Sequence, residues 1–509
     1  MYIVALIFVL LSVVWWFYRT HNNQKQLPAT LAFFGSCFAY SYVLYITAHS
    51  SIYSWILILP RDLAALIIVG IIANNLKSNK SFFITACLVA AFVYYGYTYL
   101  PSLLYKIIPQ NIQNIFVSSQ KLDSEGELLV EVKNKNTIQN LKKQIAELGG
   151  TLRPSFEVLD QNETQLDEYF TIDLKENADI NKIIELLEKN PDVNSVERNE
   201  TFSLNLPNQE DNKVFYTQNT FNDPKINEQW AFNALKLSEL NQFLQKNKIS
   251  PKKRAKIAIL DTGVDAEHED LKGNYESTKK SYDKDKQTHG THCAGIAAAV
   301  SNNKIGIASL APNTNWVKIT SIKVLNDQGW GTQEKIIKGI IEAADKGADV
   351  ISMSLGGASD DKRQKAYDYA IQYARKKGAI IVVAAGNENQ NALNSVPASC
   401  NGVIVVTAIN SKLQKASFSN TIENIKMGIA APGEDIFSTL PNQNYGAYSG
   451  TSMATPYVAG LLGMMKAIEP SLDTEKAYQI LNSTGEETKN SVQTGKLIYP
   501  MNALKKLKK

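Results

Sequence analysis

Residues 255–270 read AKIAILDTGVDAEHED, and the fold follows from how that stretch stops. An apolar, strand-like run ends on a carboxylate, Asp261, and Thr262-Gly263 come next. That places the acid at the carboxyl end of a strand, the edge of a parallel α/β sheet where ligands bind. Two later segments end in a similar way. Residues 351–357, ISMSLGG, run from a strand into glycines whose bare backbone suits pairing with an extended chain. Residues 380–387, IIVVAAGN, run from a strand into the amide of Asn387. Strands that deliver their chemistry at one end predict an α/β/α core around a mainly parallel sheet.

Between these strands lies HGTHCAGIAAAV, residues 289–300, whose small side chains predict a tightly packed helix with His289 at its start. An imidazole there suits a general base, because it titrates near neutrality. The alternatives are a core histidine, or a metal pair formed with His292; no HExxH motif or nearby thiol cluster accompanies them. Further on, residues 449–456 read SGTSMATP and lead into an apolar helix. Ser452 then presents its hydroxyl at a helix N-terminus, which favours negative charge developing beside it. An Asn at the end of residues 380–387 offers a second donor to such a charge, so Asn387 and the Ser452 backbone N–H form a candidate oxyanion pair. Asp-Thr-Gly occurs once in the chain, which argues against two carboxylates sharing a proton. The order Asp, His, Ser also differs from that of the α/β-hydrolases.

Taken together, DTGVDAEHEDL, HGTHCAGIAAAVSNN, SMSLGG, AAGN and YSGTSMATPYVAG resemble the subtilases, the subtilisin-like serine proteases, over residues 221–505. The resemblance implies a subtilisin-like fold and a serine endopeptidase working through an acyl-enzyme on polypeptide substrates. In it Asp261 orients His289, His289 takes the proton of Ser452, and Asn387 lines the oxyanion hole. It implies that Ser354, Leu355, Gly356, Ala384, Ala385 and Gly386 line the substrate strand and first specificity pocket. Ser395, near the base of that pocket, brings no charge, so broad specificity is expected. A structural calcium ion is implied too, held by Asp223, Asp270, Asn303 and backbone oxygens of Val300, Ile305 and Ile307, all hard oxygen ligands. The chain departs from the family at Tyr457, where a His is usual, and at Thr288, where a Gly is usual. Cys293, four residues after His289, is shared with the thiol-bearing subtilases.

Upstream, residues 127–199 alternate strand and helix patterns in the order β-α-β-β-α-β, a ferredoxin-like split arrangement. Lying directly before the enzyme, this segment resembles the subtilase propeptide, an intramolecular inhibitor and folding aid. We expect a propeptide domain over 115–205, a linker over 206–220, and autoprocessing somewhere in about 205–221.

Residues 1–107 are strongly apolar, with candidate membrane spans at 3–17, 30–48, 52–74 and 81–100. Arg61 and Asp62 make the third the weakest of the four. Arg19 and Lys25 share a side with Lys77 and Lys80, which the positive-inside rule makes cytoplasmic. The rest of the chain is thereby expected on the outer face, as a membrane-tethered zymogen. A net charge of +4 over 509 residues makes no case for a nucleic-acid partner. Four cysteines, two of them in the apolar region, make no disulfide framework. The competing readings are a membrane-anchored pseudoprotease that only binds peptides, and a maturation protease with one substrate.

Overall fold

The computed structural model describes residues 126–508, apart from 136–137, 161–163, 176–177, 205–220 and 359–363. The expected membrane spans and the expected processing segment lie outside the described residues. Among those described, no helix is long and apolar enough to cross a membrane.

A small α+β layer comes first: β1 (Leu128–Val132), α1 (Ile138–Glu147), β2 (Thr151–Pro154), β3 (Tyr169–Asp173), α2 (Ile180–Glu188) and β4 (Val193–Arg198). The apolar spacing in the helices decides which face they bury, Leu141 and Ile145 in α1 and Ile183 and Leu187 in α2. Asp179 caps α2 by accepting from the Lys182 N–H at 3.2 Å. The sheet runs β2-β3-β1-β4 with every pair antiparallel, which is the split order read from the sequence. Strand alternation gives it two faces. Leu128, Val130 and Val132 pack under the helices. Leu129, with Phe156 and Tyr169, instead joins a core shared with the larger domain.

That larger domain follows a short strand, β5 (Thr201–Ser203), and is built on β6 (Ala255–Asp261), α3 (His289–Ala298), β7 (Val317–Lys323), β8 (Trp330–Thr332), α4 (Gln333–Asp345) and β9 (Val350–Met353). It continues through β10 (Gly357–Ala358), α5 (Gln364–Lys376), β11 (Ile380–Ala384), β12 (Ser395–Val396), β13 (Val403–Ile409), β14 (Gly428–Pro432), β15 (Ile436–Leu440), β16 (Asn444–Tyr448) and α6 (Thr451–Ile468). Six strands form one parallel sheet, ordered β14-β13-β11-β9-β6-β7. Period-two alternation divides their side chains between two cores. Ile257 and Ile259 pack toward α3 and α6, and Ala258 and Leu260 toward α4 and α5. Each fully buried isoleucine contributes about 1.5–3 kcal/mol.

Small residues bring α3 and α6 together. A Cβ on Gly460 of α6 would lie 2.7 Å from the Ala297 carbonyl of α3, so only glycine allows that approach. Because the strands are parallel, Asp261, Ser354 and the segment after Ala384 leave the sheet along one edge. The first turns of α3 and α6 start there as well.

Candidate active site

Asp261 ends β6 fully buried. Its Oδ1 accepts from the Thr262 N–H at 2.7 Å, and both carboxylate oxygens face His289 Nδ1, at 2.8 and 2.9 Å. That contact places the ring proton on Nδ1 and leaves Nε2 as the basic nitrogen. Burial pulls the imidazole pKa down, yet the Asp261 carboxylate, with Cys293, raises it well above the ordinary value. His292, one turn on, goes elsewhere: it stacks on Tyr448 with ring centroids 4.6 Å apart and bonds the Gly446 carbonyl through Nε2. Burial, reinforced by the charge on His289, pushes its pKa down to about 3. The two histidines therefore do not converge as a metal pair.

Ser452 is the second residue of α6, whose first-turn N–H groups have no acceptor inside the helix. Pro456, inside the same helix, has no N–H to give the Ser452 carbonyl. Two side chains supply donors instead, Ser354 Oγ at 2.8 Å and Cys293 Sγ at 3.5 Å. The proline thus opens a position through which neighbouring elements grip the nucleophile's backbone. Cys293 Sγ also lies 3.9 Å from His289 Nδ1, so the imidazole and the Ser452 backbone flank one thiol. The serine hydroxyl donates to the Ser354 carbonyl at 3.1 Å, and His289 Nε2 has no hydrogen-bond partner among the described residues. The hydroxyl–imidazole bond expected from the sequence is not formed in this state; catalytic hydrogen bonds often tighten only with substrate bound.

Asn387 is oriented by Thr451, whose N–H and Oγ–H both donate to its Oδ1 at 2.9 Å. Its Nδ2 end points toward Gly450, beside the start of α6, where a Cβ added to that glycine would lie 3.6 Å away. Gly386, at φ +103°, donates its N–H to Thr451 Oγ1 at 3.2 Å, which pins the end of β11 to the same helix start. Ala385 is held by the Val406 carbonyl, and Leu355 is buried where β9 leaves the sheet. A Cβ on Gly356 would lie 3.1 Å from the Val396 carbonyl. All six residues expected along the substrate strand thus lie at or just beyond the carboxyl ends of β9 and β11.

One edge was missed by the sequence reading. Strand β5 pairs antiparallel with β8, Phe202 opposite Gly331, and the Leu204 N–H donates to the Gly329 carbonyl at 3.1 Å. Phe202 is buried against the Tyr367 ring, centroids 6.4 Å apart, where Gly357 leaves room for it. Behind this strand, polar pairs join the small domain to α4 and α5. Glu197 accepts from Tyr169 Oη at 3.1 Å and Gln333 Nε2 at 2.8 Å, Asn199 Oδ1 accepts from the Glu334 N–H at 3.0 Å, and Glu131 pairs with Lys365 at 2.6 Å. Burial pushes the Glu197 carboxyl up to about 7. The Asn-Asp-Gln-Gly turn before Trp330 is the only local signal for the β8 edge, and a three-residue strand leaves little pattern.

Of the residues expected to hold calcium, Asp223, Asp270 and Asn303 share one hydrogen-bonded cluster, which Val300, Ile305 and Ile307 join through their N–H groups. Asp223 accepts from the Asn302 and Asn303 N–H groups at 2.9 and 3.1 Å. Asp270 accepts from Asn303 Nδ2 and the Ile307 N–H, both at 2.7 Å, while its carbonyl takes the Val300 N–H at 2.8 Å. The Ile305 N–H donates to Asn303 Oδ1 at 2.7 Å, closing the loop on itself. Burial pushes Asp270 up to about 7, with the Asp223 charge adding to the rise. Among the described residues neither acid has an ion pair. Two buried like charges bridged by one asparagine fit a hard cation.

Tyr457 is buried edge-on against Phe232, and Cys400 is buried with no disulfide.

Comparison with known proteins supports the same reading. The Subtilase family model matches residues 252–497. A thermophilic serine proteinase of Bacillus sp. strain AK1 is 34% identical over 369 residues, covering 70% of this chain and 82% of the relative. Thermitase of Thermoactinomyces vulgaris is 44% identical over 216 residues, 42% of this chain and 74% of the relative. A solved protease from Pseudoalteromonas arctica superposes with a TM-score of 0.51 at 28% identity, covering 57% of this chain and 99% of that one. With the parallel sheet and its strand-end residues, these matches establish that the chain belongs to the subtilase family and is a subtilisin-like serine peptidase.

Proposed function

We propose that the chain is a serine endopeptidase whose triad is Asp261, His289 and Ser452, made as a membrane-tethered zymogen. The observation that carries this is the buried Asp261–His289 pair standing beside Ser452 at the start of α6. In the reaction, Ser452 Oγ attacks the scissile carbonyl as its proton passes to His289 Nε2. The resulting oxyanion is met by Asn387 Nδ2 and the Ser452 N–H. His289 then gives the proton to the departing amine, leaving an acyl-serine, and water repeats the sequence to release the acid. Asp261 keeps the imidazole in its working tautomer and stabilises the imidazolium without itself taking the proton.

The small domain is assigned as the inhibitory propeptide. Its trailing strand β5 occupies the β8 edge as an extended peptide would, with Phe202 in an apolar pocket. Polypeptide substrates are expected to lie in the same place, against residues 354–356 on the other side. Residues 1–107 are assigned as the anchor, with the peptidase on the extracytoplasmic side; this rests on their hydropathy and charge bias. Cleavage between propeptide and enzyme also cuts the tether, so maturation releases the protease and leaves the inhibitor on the membrane. N-terminal sequencing of the mature form is expected to find a start within 205–221. A start upstream of Val193, inside the small domain, would rule out this maturation scheme.

Calcium is assigned a structural role at Asp223, Asp270 and Asn303, with carbonyls of Val300, Ile305 and Ile307. A ligand at a hundred times its Kd stabilises by about 2.7 kcal/mol, which for a domain of this size raises Tm by about 5–10 °C. Chelation is expected to lower Tm by that amount, and Asp270→Asn to abolish the difference. Equal Tm values with calcium and with chelator would remove the site.

A further inference from the structure

Asp285 lies in the lysine-rich stretch YDKDKQ, residues 282–287. It is nevertheless only 6% exposed. Its carboxylate accepts from five donors: Oδ1 from Thr262 Oγ1 at 2.9 Å, Gln287 N–H at 3.0 Å and Thr288 N–H at 2.9 Å, Oδ2 from Thr291 N–H at 2.9 Å and Thr291 Oγ1 at 2.7 Å. Among the described residues no cation pairs with it, so hydrogen bonds alone meet its charge. Such bonds are the strong kind, and a carboxylate can take several at once.

The donors come from the two elements that must meet. Thr262 follows Asp261 directly and also holds the acid, through its own N–H, at 2.7 Å. Thr288 and Thr291 belong to the start of α3, which carries His289. Thr262 Oγ1 closes the loop by accepting from the Gly290 N–H at 3.0 Å. The approach is close: a Cβ on Gly290 would lie 2.1 Å from the Gly263 carbonyl. Thr288 itself is held at φ +89°, a region unusual for a β-branched residue. Asp285 on its N–H and Tyr448 Oη on its Oγ1, at 2.7 Å, fix that conformation one residue before the imidazole.

We propose that Asp285 is a positioning residue of the active site, clamping the end of β6 to the first turn of α3 so that Asp261 and His289 Nδ1 stay in register. It touches neither substrate nor the reacting atoms. Asp261 and Cys293 are the main groups raising the imidazole pKa, and the bonds of Asp285 run to Thr262, Gln287, Thr288 and Thr291 beside it. This rests on the triad assignment, and the two fail differently: loss of the triad reading leaves Ser452→Ala active, whereas loss of this one leaves Asp285 variants normal in an enzyme that Ser452→Ala kills.

In the full chain, Asp285→Asn keeps the shape but turns an NH2 group toward donors. The processed enzyme, counted by active-site titration, is expected to lose about 10- to 100-fold in kcat with KM changed less than about twofold. A loosened Asp261 contact also lowers the imidazole pKa, so the acid limb of kcat/KM moves to lower pH. Thr262→Val removes one strut and should move both readouts in the same direction, while Thr262→Ser restores them. Lower yield or Tm with unchanged kcat per titrated site and an unmoved acid limb would overturn the proposal. If Asp285→Asn gives no folded enzyme, Thr262→Val decides alone by the same two readouts.

Discussion

Ser452→Ala is expected to leave the chain uncut and nearly inert. Without the hydroxyl no acyl-enzyme can form, and turnover on a peptide substrate should fall on the order of 10⁶-fold, the size of loss known for subtilisin, a relative, when its nucleophile is removed. Alanine loses the hydroxyl's bond to the Ser354 carbonyl, but the backbone carbonyl stays held by Ser354 and Cys293. The variant should fold, keep the β5–β8 pairing and accumulate at full length. Immunoblotting against the peptidase domain separates the outcomes. A mature-size band from the variant would mean another protease does the processing, and undiminished peptide hydrolysis would return the chain to a different chemistry.

Asp261→Asn is expected to cost about 10⁴-fold in kcat, since an amide facing Nδ1 stabilises the wrong tautomer of His289. The pH profile carries a second signature. His289 works as the neutral base, so activity rises with pH through its pKa, and the Asp261 carboxylate holds that value above the ordinary one against the pull of burial. Removing the charge lets the pKa fall, and the acid limb shifts to lower pH. The enzyme for this measurement is matured in trans by wild-type protease. A variant with the wild-type rate and limb would detach Asp261 from the mechanism.

How much of this was legible in the sequence depends on how local each signal is. Asp261 ends a strand, His289 and Ser452 lie at helix starts and Asn387 follows a strand end by three residues, each inside a run that marks its boundary by itself, and all four lie at one sheet edge. The helices of the small domain were readable because Ile183 and Leu187, like Leu141 and Ile145, recur at helical spacing. The pairing of Thr201–Ser203 with Trp330–Thr332 was not, because two three-residue strands more than a hundred positions apart carry no shared periodicity. Asp285 was hidden for a different reason. Flanked by Lys284 and Lys286, it looks solvated, and its burial is tolerable only because folding gathers five donors from Thr262, Gln287, Thr288 and Thr291. Pro456 belongs to the same class. Its effect is felt four residues earlier, at a carbonyl whose substitute donors come from β9's end and from α3.

The central claim is that Ser452 is the nucleophile activated by His289. The most direct test is to treat the mature enzyme with an organophosphorus fluoridate and locate the adduct by peptide mass spectrometry. The account predicts one adduct per chain, on Ser452, formed in parallel with loss of activity and absent from Asp261→Asn on the same time scale. Full activity in enzyme labelled at Ser452, or inactivation with the adduct on another side chain, would contradict it.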